Sequence, residues 1–111
     1  MLVQNAKDRR IFDRFAVQFP ARFEQPVSLG QEFPVFLKDA SPEGLKFATT
    51  HKVSADDVIC LAVDLPGTTI SLAGRVVWTK PLNPNLCDVG LKFDNVDFKK
   101  VQQLYQLSLA A

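Results

Sequence analysis

Short segments in which hydrophobic and polar residues alternate limit most strongly how this chain can fold. The first begins near Phe15, where Val17, Phe19, Ala21 and Phe23 are separated by mostly polar residues. A period of two is typical of a strand with one buried face. Five further strand segments are predicted at residues 32–38, 45–49, 58–65, 69–80 and 86–93. The segment 58–65 is apolar enough to lie deepest in a core.

Turn-forming residues separate these segments. Pro20 predicts an edge position or a bulge in the first strand, and Gly74 predicts a bulge or bend in the fifth. The stretches 25–30 and 81–85 predict turns. The stretch Asp39–Gly44 is predicted to end a strand, because Asp, Ser, Pro and Gly occur within six residues.

After residue 94 the hydrophobic period becomes helical. One face of the predicted helix carries Phe98, Val101, Leu104, Tyr105 and Ser108. Asn95 or Asp97 would cap its start. Six strands and a terminal helix predict an all-β domain with a C-terminal helix, built as a small antiparallel barrel or sandwich. With 111 residues there is room for one core, so we expect a flexible basic arm at 1–14, a barrel at 15–94 and a helix at 95–111.

The charge distribution argues against a general nucleic-acid-binding protein. The chain has a net charge of +1, whereas phosphate-dominated binding needs a clear basic excess. The positive charge is concentrated at residues 7–14, which contain four basic and two acidic residues. The N-terminus lacks the long apolar stretch of a secretion signal, and Val58–Val63 is too short to span a bilayer. We therefore expect a cytoplasmic protein without membrane insertion.

Residues suited to catalysis or metal binding are few. His51 is the single histidine and is expected to be a solvated loop residue, and no glycine-rich phosphate loop occurs. Asp56 and Asp57 are expected on a solvated edge. Cys60 and Cys87 match no metal-ligand spacing and are predicted to pack in the core. The sequence thus predicts a protein that is not an enzyme and has neither a catalytic nor a metal site nor a cofactor.

Arginine dominates the basic N-terminal segment, as Arg9, Arg10 and Arg14. A guanidinium is a planar fork that matches the O6 and N7 edge of guanine and also binds phosphate. The spacing Arg10-x-x-x-Arg14 therefore suits bidentate recognition of a nucleotide. Taken alone, the segment favours a solvated, flexible terminus, because charged termini are usually disordered.

The segment Asp39-x-Ser41-x-x-Gly44 offers complementary groups. An Asp carboxylate accepts hydrogen bonds from guanine N1–H and N2–H₂, and Ser supplies a small donor. Gly permits positive φ or a close approach of the backbone. The same residues would also serve an ordinary Asx-type turn, and alone the segment favours that interpretation.

Together, the two motifs resemble the paired signature of PilZ domains. The segment Gly74-Arg75-Val76-Val77-Trp78 is similar to a late strand of that family, and Val89–Asp94 to its last strand. With the terminal helix, the resemblance extends from about Asp8 to Leu107. It implies a six-stranded Greek-key β-barrel that binds the bacterial second messenger cyclic di-GMP.

The resemblance also implies residue roles. Arg10 and Arg14 would clamp the ligand's phosphates and guanines, while Asp39 and Ser41 would contact base and phosphate. Gly44 would keep the turn open.

Three other positions bear on the ligand. In the family, a basic residue at the position of Arg9 accompanies binding of an intercalated cyclic di-GMP dimer. Trp78 would either stack on a purine or be a half-buried core residue. Pro42 and Glu43 depart from the family's usual small residues, and Glu43 places a negative charge near a phosphate ligand.

The implied function is that of a stand-alone receptor and adaptor. Cyclic di-GMP carries two negative charges, which a local excess of about +2 would balance. Binding would order the arginine arm and switch an unidentified protein partner in motility, surface attachment or exopolysaccharide output. One alternative is a PilZ-like protein–protein interaction module that does not bind cyclic di-GMP. Another is a small barrel that binds single-stranded nucleic acid, although the sequence lacks a repeated aromatic platform.

Overall fold

The computed structural model describes residues 14–95 and 97–110. It contains seven strands, a 3-10 turn at Pro26–Ser28 and one helix. The strands are β1 (Phe15–Ala16), β2 (Pro20–Glu24), β3 (Phe33–Ala40), β4 (Gly44–Thr49), β5 (Val58–Leu65), β6 (Thr68–Asn83) and β7 (Leu86–Phe93). The helix α1 spans Phe98–Ala110. The prediction of an all-β domain with a C-terminal helix is confirmed.

Six strands form a closed antiparallel barrel. Its order around the ring is β2-β5-β6-β7-β4-β3, and β3 closes the ring by pairing with β2. The connection from β4 to β5 crosses the barrel, so that β5 lies beside β2 and β7 beside β4, as in a Greek key. The short β1 pairs with the end of β3, where Phe15 is opposite Ala40 and Ala16 opposite Asp39.

The first predicted strand is divided into β1 and β2 by residues 17–19. Pro20 opens β2 and pairs with Phe36. A proline has no N–H for the ladder, so the first position of a strand suits it. Val17 still donates a backbone hydrogen bond to Lys38 at 3.1 Å and is fully buried.

The core lies inside the barrel and is built from the residues predicted to face inward. The largest fully buried side chains are Phe23, Phe47, Ile59, Leu61, Leu104, Val17, Val63, Val76 and Val89. Apart from Val17, which lies between β1 and β2, they come from every barrel strand except β3, and from α1. Strand β3 adds Val35 and Leu37, which are also buried. The alternation therefore places one side of each strand in the core and leaves the other side on the outer surface of the barrel.

Helix α1 packs on the barrel through Val101 and Leu104, which are both buried. The Oδ1 of Asp97 accepts hydrogen bonds from the backbone N–H of Lys99 and of Lys100, which confirms Asp97 as the N-cap. The prediction for Phe98 is wrong, because its side chain is 68% exposed. Side chains of a helix lean toward its N-terminus, so the first residue extends beyond the packed surface.

Strand β3 is longer than its sequence predicts. Asp39 and Ala40 still belong to the strand, since both β1 and β4 pair with them. A bulge between Leu37 and Asp39 shifts the register with β4. The predicted break is therefore confined to residues 41–43, and Gly44 opens the next strand.

Strand β6 also differs from prediction. Gly74 pairs regularly with Phe93, and the bulge lies between Val76 and Trp78. Gly74 is needed for a different reason, because a Cβ there would stand 2.4 Å from the carbonyl oxygen of Lys92. The strand continues to Asn83, with a second register shift after Pro81, so the predicted turn at 81–85 is reduced to two residues.

Two predictions for single residues, those for Cys60 and His51, require correction, and the prediction for Cys87 is met in part. Cys60 is exposed, because it lies on the outward side of β5 between buried residues. Cys87 is half-buried and packs against the core. His51 is not simply solvated, since its ring is stacked on Phe33 with centroids 3.6 Å apart.

Candidate functional site

The outer face of the barrel carries a row of four residues that crosses four strands. Asp39 of β3 is opposite Lys46 of β4, and Lys46 is opposite Gly90 of β7. Gly90 is in turn opposite Trp78 of β6. Directly opposed residues lie about 5 Å apart and point to the same side of a sheet. The register therefore brings a carboxylate, an ammonium group and an indole onto one surface.

Asp39 is the acidic end of this row. Its side chain is 22% exposed and forms an ion pair with the exposed Arg14 through Oδ1. Its other oxygen, Oδ2, is 3.9 Å from Nζ of Lys46. Two cations therefore lie beside the carboxylate at the surface of the barrel.

The turn after β3 is organised by Ser41. Its Oγ accepts hydrogen bonds from the backbone N–H of Glu43 at 3.2 Å and of Gly44 at 3.3 Å. Its own N–H donates to the carbonyl of Gly44 at 2.8 Å. Because these contacts use Oγ only as an acceptor, the hydroxyl hydrogen stays available as a donor.

Gly44 allows the turn to approach β7 closely. A Cβ at this position would stand 2.1 Å from the carbonyl oxygen of Leu91, far inside contact distance. The sequence left two roles open for Gly44, a positive φ or a close approach of the backbone. Among the described glycines only Gly30 and Gly67 have a positive φ, so Gly44 serves the close approach.

Trp78 forms the aromatic end of the row. The bulge at Val77 turns both residues outward, so Trp78 does not enter the core and is 42% exposed. A Cβ on Gly90 would stand 2.3 Å from both Cε2 and Nε1 of the indole. The five-membered ring therefore covers Gly90 and occupies the space of the missing side chain.

These groups surround an open cavity of about 210 Å³. Its lining consists of Arg14, Ser41, Glu43, Gly44, Leu45, Lys46, Val77, Trp78, Gly90, Leu91 and Lys92. Three cations and one anion give the lining an excess of positive charge. The cavity thus combines an aromatic surface, a hydroxyl donor and a positive potential, which together suit a nucleotide.

The structure places most of the predicted site residues together. Arg14, Ser41, Gly44 and Trp78 line the cavity, and Asp39 adjoins it through its ion pair with Arg14. The predicted roles of Arg9 and Arg10 fall outside the described residues.

Three contributors were missed by reasoning from the sequence. They are Lys46, Gly90 and Lys92, all of which line the cavity. Lys46 follows Gly44 by two residues in the same strand and therefore faces the same side. The sequence alone could have predicted this position for Lys46. Gly90 and Lys92 share the polar side of β7, but only the register of β7 with β4 and β6 shows which residues they face.

The profile of the PilZ domain family matches residues 8–110. The chain belongs to the PilZ domain family. This match covers the arginine motif, the Asp-x-Ser motif, the whole barrel and the helix. The resemblance inferred from the motifs is therefore confirmed. No curated protein sequence matches the chain.

Solved structures show the same PilZ fold. The motility inhibitor MotI/DgrA of Bacillus subtilis superposes with a TM-score of 0.68 at 12% identity, over 88% of this chain and 48% of that protein. The PilZ domain of Escherichia coli YcgR with c-di-GMP gives a TM-score of 0.62 at 12% identity, over 87% and 88% of the two chains. MrkH of K. pneumonia in its apo state gives 0.66 at 14% identity, over 87% and 47%.

The chain spans about half the length of MotI/DgrA and of MrkH. Both the YcgR domain and MrkH have also been solved with c-di-GMP, so the family includes receptors for this dinucleotide. Within the part of this chain that the structure describes, no helix is long and apolar enough to cross a membrane.

Proposed function

We propose that this PilZ domain is a receptor for cyclic di-GMP and acts by binding rather than by catalysis. The observation that carries the proposal is the convergence of Arg14, Asp39, Ser41 and Trp78 on one face of the barrel. Each supplies a group that cyclic di-GMP requires. Among the residues described here, no cluster of three or more metal-ligating side chains adds a competing site.

The guanine base would be read by Asp39. Its carboxylate accepts hydrogen bonds, and guanine offers two neighbouring donors at N1 and N2. Adenine has no donor at the corresponding edge positions, so this contact would discriminate between the two purines. The indole of Trp78 offers a π surface on which a purine stacks, a contact worth about 1–3 kcal/mol per base.

The phosphates would be bound by arginine. Arg14 is paired with Asp39, so guanine binding to Asp39 would release the guanidinium for a phosphate. We propose that Arg10 and Arg9 add further contacts from the N-terminal segment. The position of Arg9 favours an intercalated dimer of the ligand, that is, two cyclic di-GMP molecules per domain.

We further propose that ligand binding changes a contact between this domain and a protein partner. Residues of the arginine motif would be drawn toward the barrel by the phosphates, which would create a new surface there. The free thiols Cys60 and Cys87 suit a reducing compartment such as the cytoplasm.

Isothermal titration calorimetry with cyclic di-GMP tests the proposal, with cyclic di-AMP as the matched control ligand. We expect binding at micromolar concentrations or tighter for cyclic di-GMP and much weaker binding for cyclic di-AMP. The expected endpoint is about two ligands per chain. Absence of heat with a protein shown to be folded by circular dichroism would disprove the receptor function and favour a protein-interaction module. A one-to-one endpoint would reject only the role of Arg9.

A further inference from the structure

Lys92 contributes a positive charge to the cavity and has no ion-pair partner among the described residues, although Glu43 lines the same cavity. The other two cations of the lining, Arg14 and Lys46, both lie near the carboxylate of Asp39. Within residues 14–95 and 97–110, the side chain of Lys92 forms neither an ion pair nor a hydrogen bond. It is exposed at the rim of the cavity.

The neighbours of Lys92 add electrostatic repulsion to this charge. Across β6 it faces Arg75, and across β4 it faces Gly44, which has no side chain. Arg75 is also exposed and likewise has no ion-pair partner in the described part of the chain. Like charges placed directly opposite each other destabilise a sheet. Proteins break such local pairing rules mainly at functional sites, so the pair favours a binding role for this surface.

Lys92 and Lys46 also flank the indole of Trp78. The indole covers Gly90, Lys46 is directly opposite Gly90, and Lys92 follows Gly90 by two residues on the same face. These separations are about 5 Å across the sheet and about 7 Å along the strand. A lysine side chain reaches across either distance, so a phosphate next to a base stacked on Trp78 would lie within reach of both ammonium groups.

We infer that Lys92, together with Lys46, binds the phosphodiester groups of the ligand, in addition to the arginine motif. This inference rests on the proposed function and deepens it. When guanine donates its hydrogen bonds to Asp39, it occupies the carboxylate oxygens, so the side chains of Arg14 and Lys46 can turn from Asp39 toward the phosphates. Lys92, Lys46 and Arg14 then face the two phosphate charges of cyclic di-GMP. The anion also relieves the repulsion between Lys92 and Arg75, which favours the bound state.

The test compares Lys92→Gln, Lys46→Gln and the double variant with the parent by calorimetric titration of cyclic di-GMP. Lys99→Gln is the matched control, because it removes one charge from an exposed position of α1 outside the cavity. We expect each cavity variant to weaken binding by roughly threefold to tenfold at low salt and the control to change it little. The loss should shrink at high salt, because screening weakens the contact that the parent makes.

A second measurement excludes a merely structural role. Because Lys92 opposes Arg75, the ligand-free Lys92→Gln variant should melt at the same temperature as the parent or slightly higher, while its ligand-induced rise in Tm is smaller. A lower melting temperature without ligand, or affinities equal to the parent for both single variants, would overturn the assignment of the lysines alone. Absence of cyclic di-GMP binding by the parent would overturn the proposed function and this inference with it.

Discussion

Trp78 and Gly90 oppose each other across β6 and β7, and the indole fills the volume that a side chain at position 90 would occupy. The pairing makes the aromatic surface of the site depend on a residue that has no side chain. It also means that the indole extends from β6 over β7.

The variant Gly90→Ala should therefore impair the site through Trp78. The new Cβ would overlap Cε2 and Nε1 of the indole, so the ring must move outward into solvent. We expect weaker cyclic di-GMP binding by up to the value of one stacking contact, about 1–3 kcal/mol. Trp78 is the single tryptophan of the chain, so a red shift of its fluorescence reports the displacement directly.

The matched control is Gly90→Ala in a Trp78→Phe background, where the smaller ring leaves more room. The alanine should cost less affinity there than in the parent. Equal losses in both backgrounds would show that Gly90 acts on the barrel itself and not through the indole.

The position of Trp78 also shows where sequence reasoning reaches its limit. Strict alternation from the buried Val76 would point Trp78 into the core, and only the bulge after Val76 reverses its direction. The segment Arg75–Thr79 contains no Gly or Pro that would predict a bulge. Apart from the bulge after Leu37 in β3, the inward rows of the other strands alternate, and for this reason the barrel could be predicted from the sequence.

The site could be predicted only in part, for a related reason. Asp39 and Ser41 form a local motif, so their common position follows from their spacing. The opposition of Lys92 and Arg75 joins residues 17 positions apart and depends on the register of β6 with β7. A one-residue change in that register would move every side chain to the other face, and the sequence does not set it locally.

The variant Asp39→Asn tests the role of Asp39 in recognising guanine. The amide oxygen still accepts one hydrogen bond, but its NH₂ group opposes a guanine donor, and the charge that holds Arg14 is lost. Hydrogen bonds to charged groups contribute about 1.5–3 kcal/mol, so we expect affinity for cyclic di-GMP to fall by roughly tenfold or more. The preference over cyclic di-AMP should fall by a similar factor.

Calorimetric titration of both dinucleotides measures these two effects. Asp56→Asn is a suitable control, since Asp56 is an exposed loop residue at φ 75°, a conformation that Asn tolerates. Retention of the full guanine preference by Asp39→Asn would exclude Asp39 as the group that reads the base.

Gly44→Ala should destabilise the folded barrel even in the absence of ligand. The added Cβ would overlap the carbonyl oxygen of Leu91, so β4 and β7 must separate locally. We expect a loss of roughly 1–3 kcal/mol in the free energy of unfolding, which urea denaturation measures. Gly67→Ala is a contrasting variant, because Gly67 has φ 80° and no atom within 4 Å of the new Cβ, so its loss reports backbone strain without steric overlap. A Gly44→Ala variant as stable as the parent would contradict the close approach.

The ion pair between Arg22 of β2 and Asp64 of β5 should give the barrel a pH-dependent contribution. Nη1 of Arg22 lies 2.7 Å from Oδ2 of Asp64, and Thr69 donates a hydrogen bond to Oδ1 at 2.8 Å. The bond from Arg22, and then that from Thr69, lowers the pKa of Asp64. A carboxyl whose pKa is lower in the folded state stabilises the fold above its unfolded pKa of about 4 and loses that effect as the pH falls through the folded value.

The free energy of unfolding of the parent and of Asp64→Asn should therefore differ most near pH 6, and the difference should vanish once the pH falls below the lowered folded pKa of Asp64. Thr69→Val removes only the second of the two contributing hydrogen bonds, so its difference from the parent should be smaller and have the same sign. Urea denaturation at a series of pH values supplies the measurement. A difference between parent and Asp64→Asn that stays constant from pH 6 to the acid limit would mean that the ion pair adds nothing to the closure of β2 on β5.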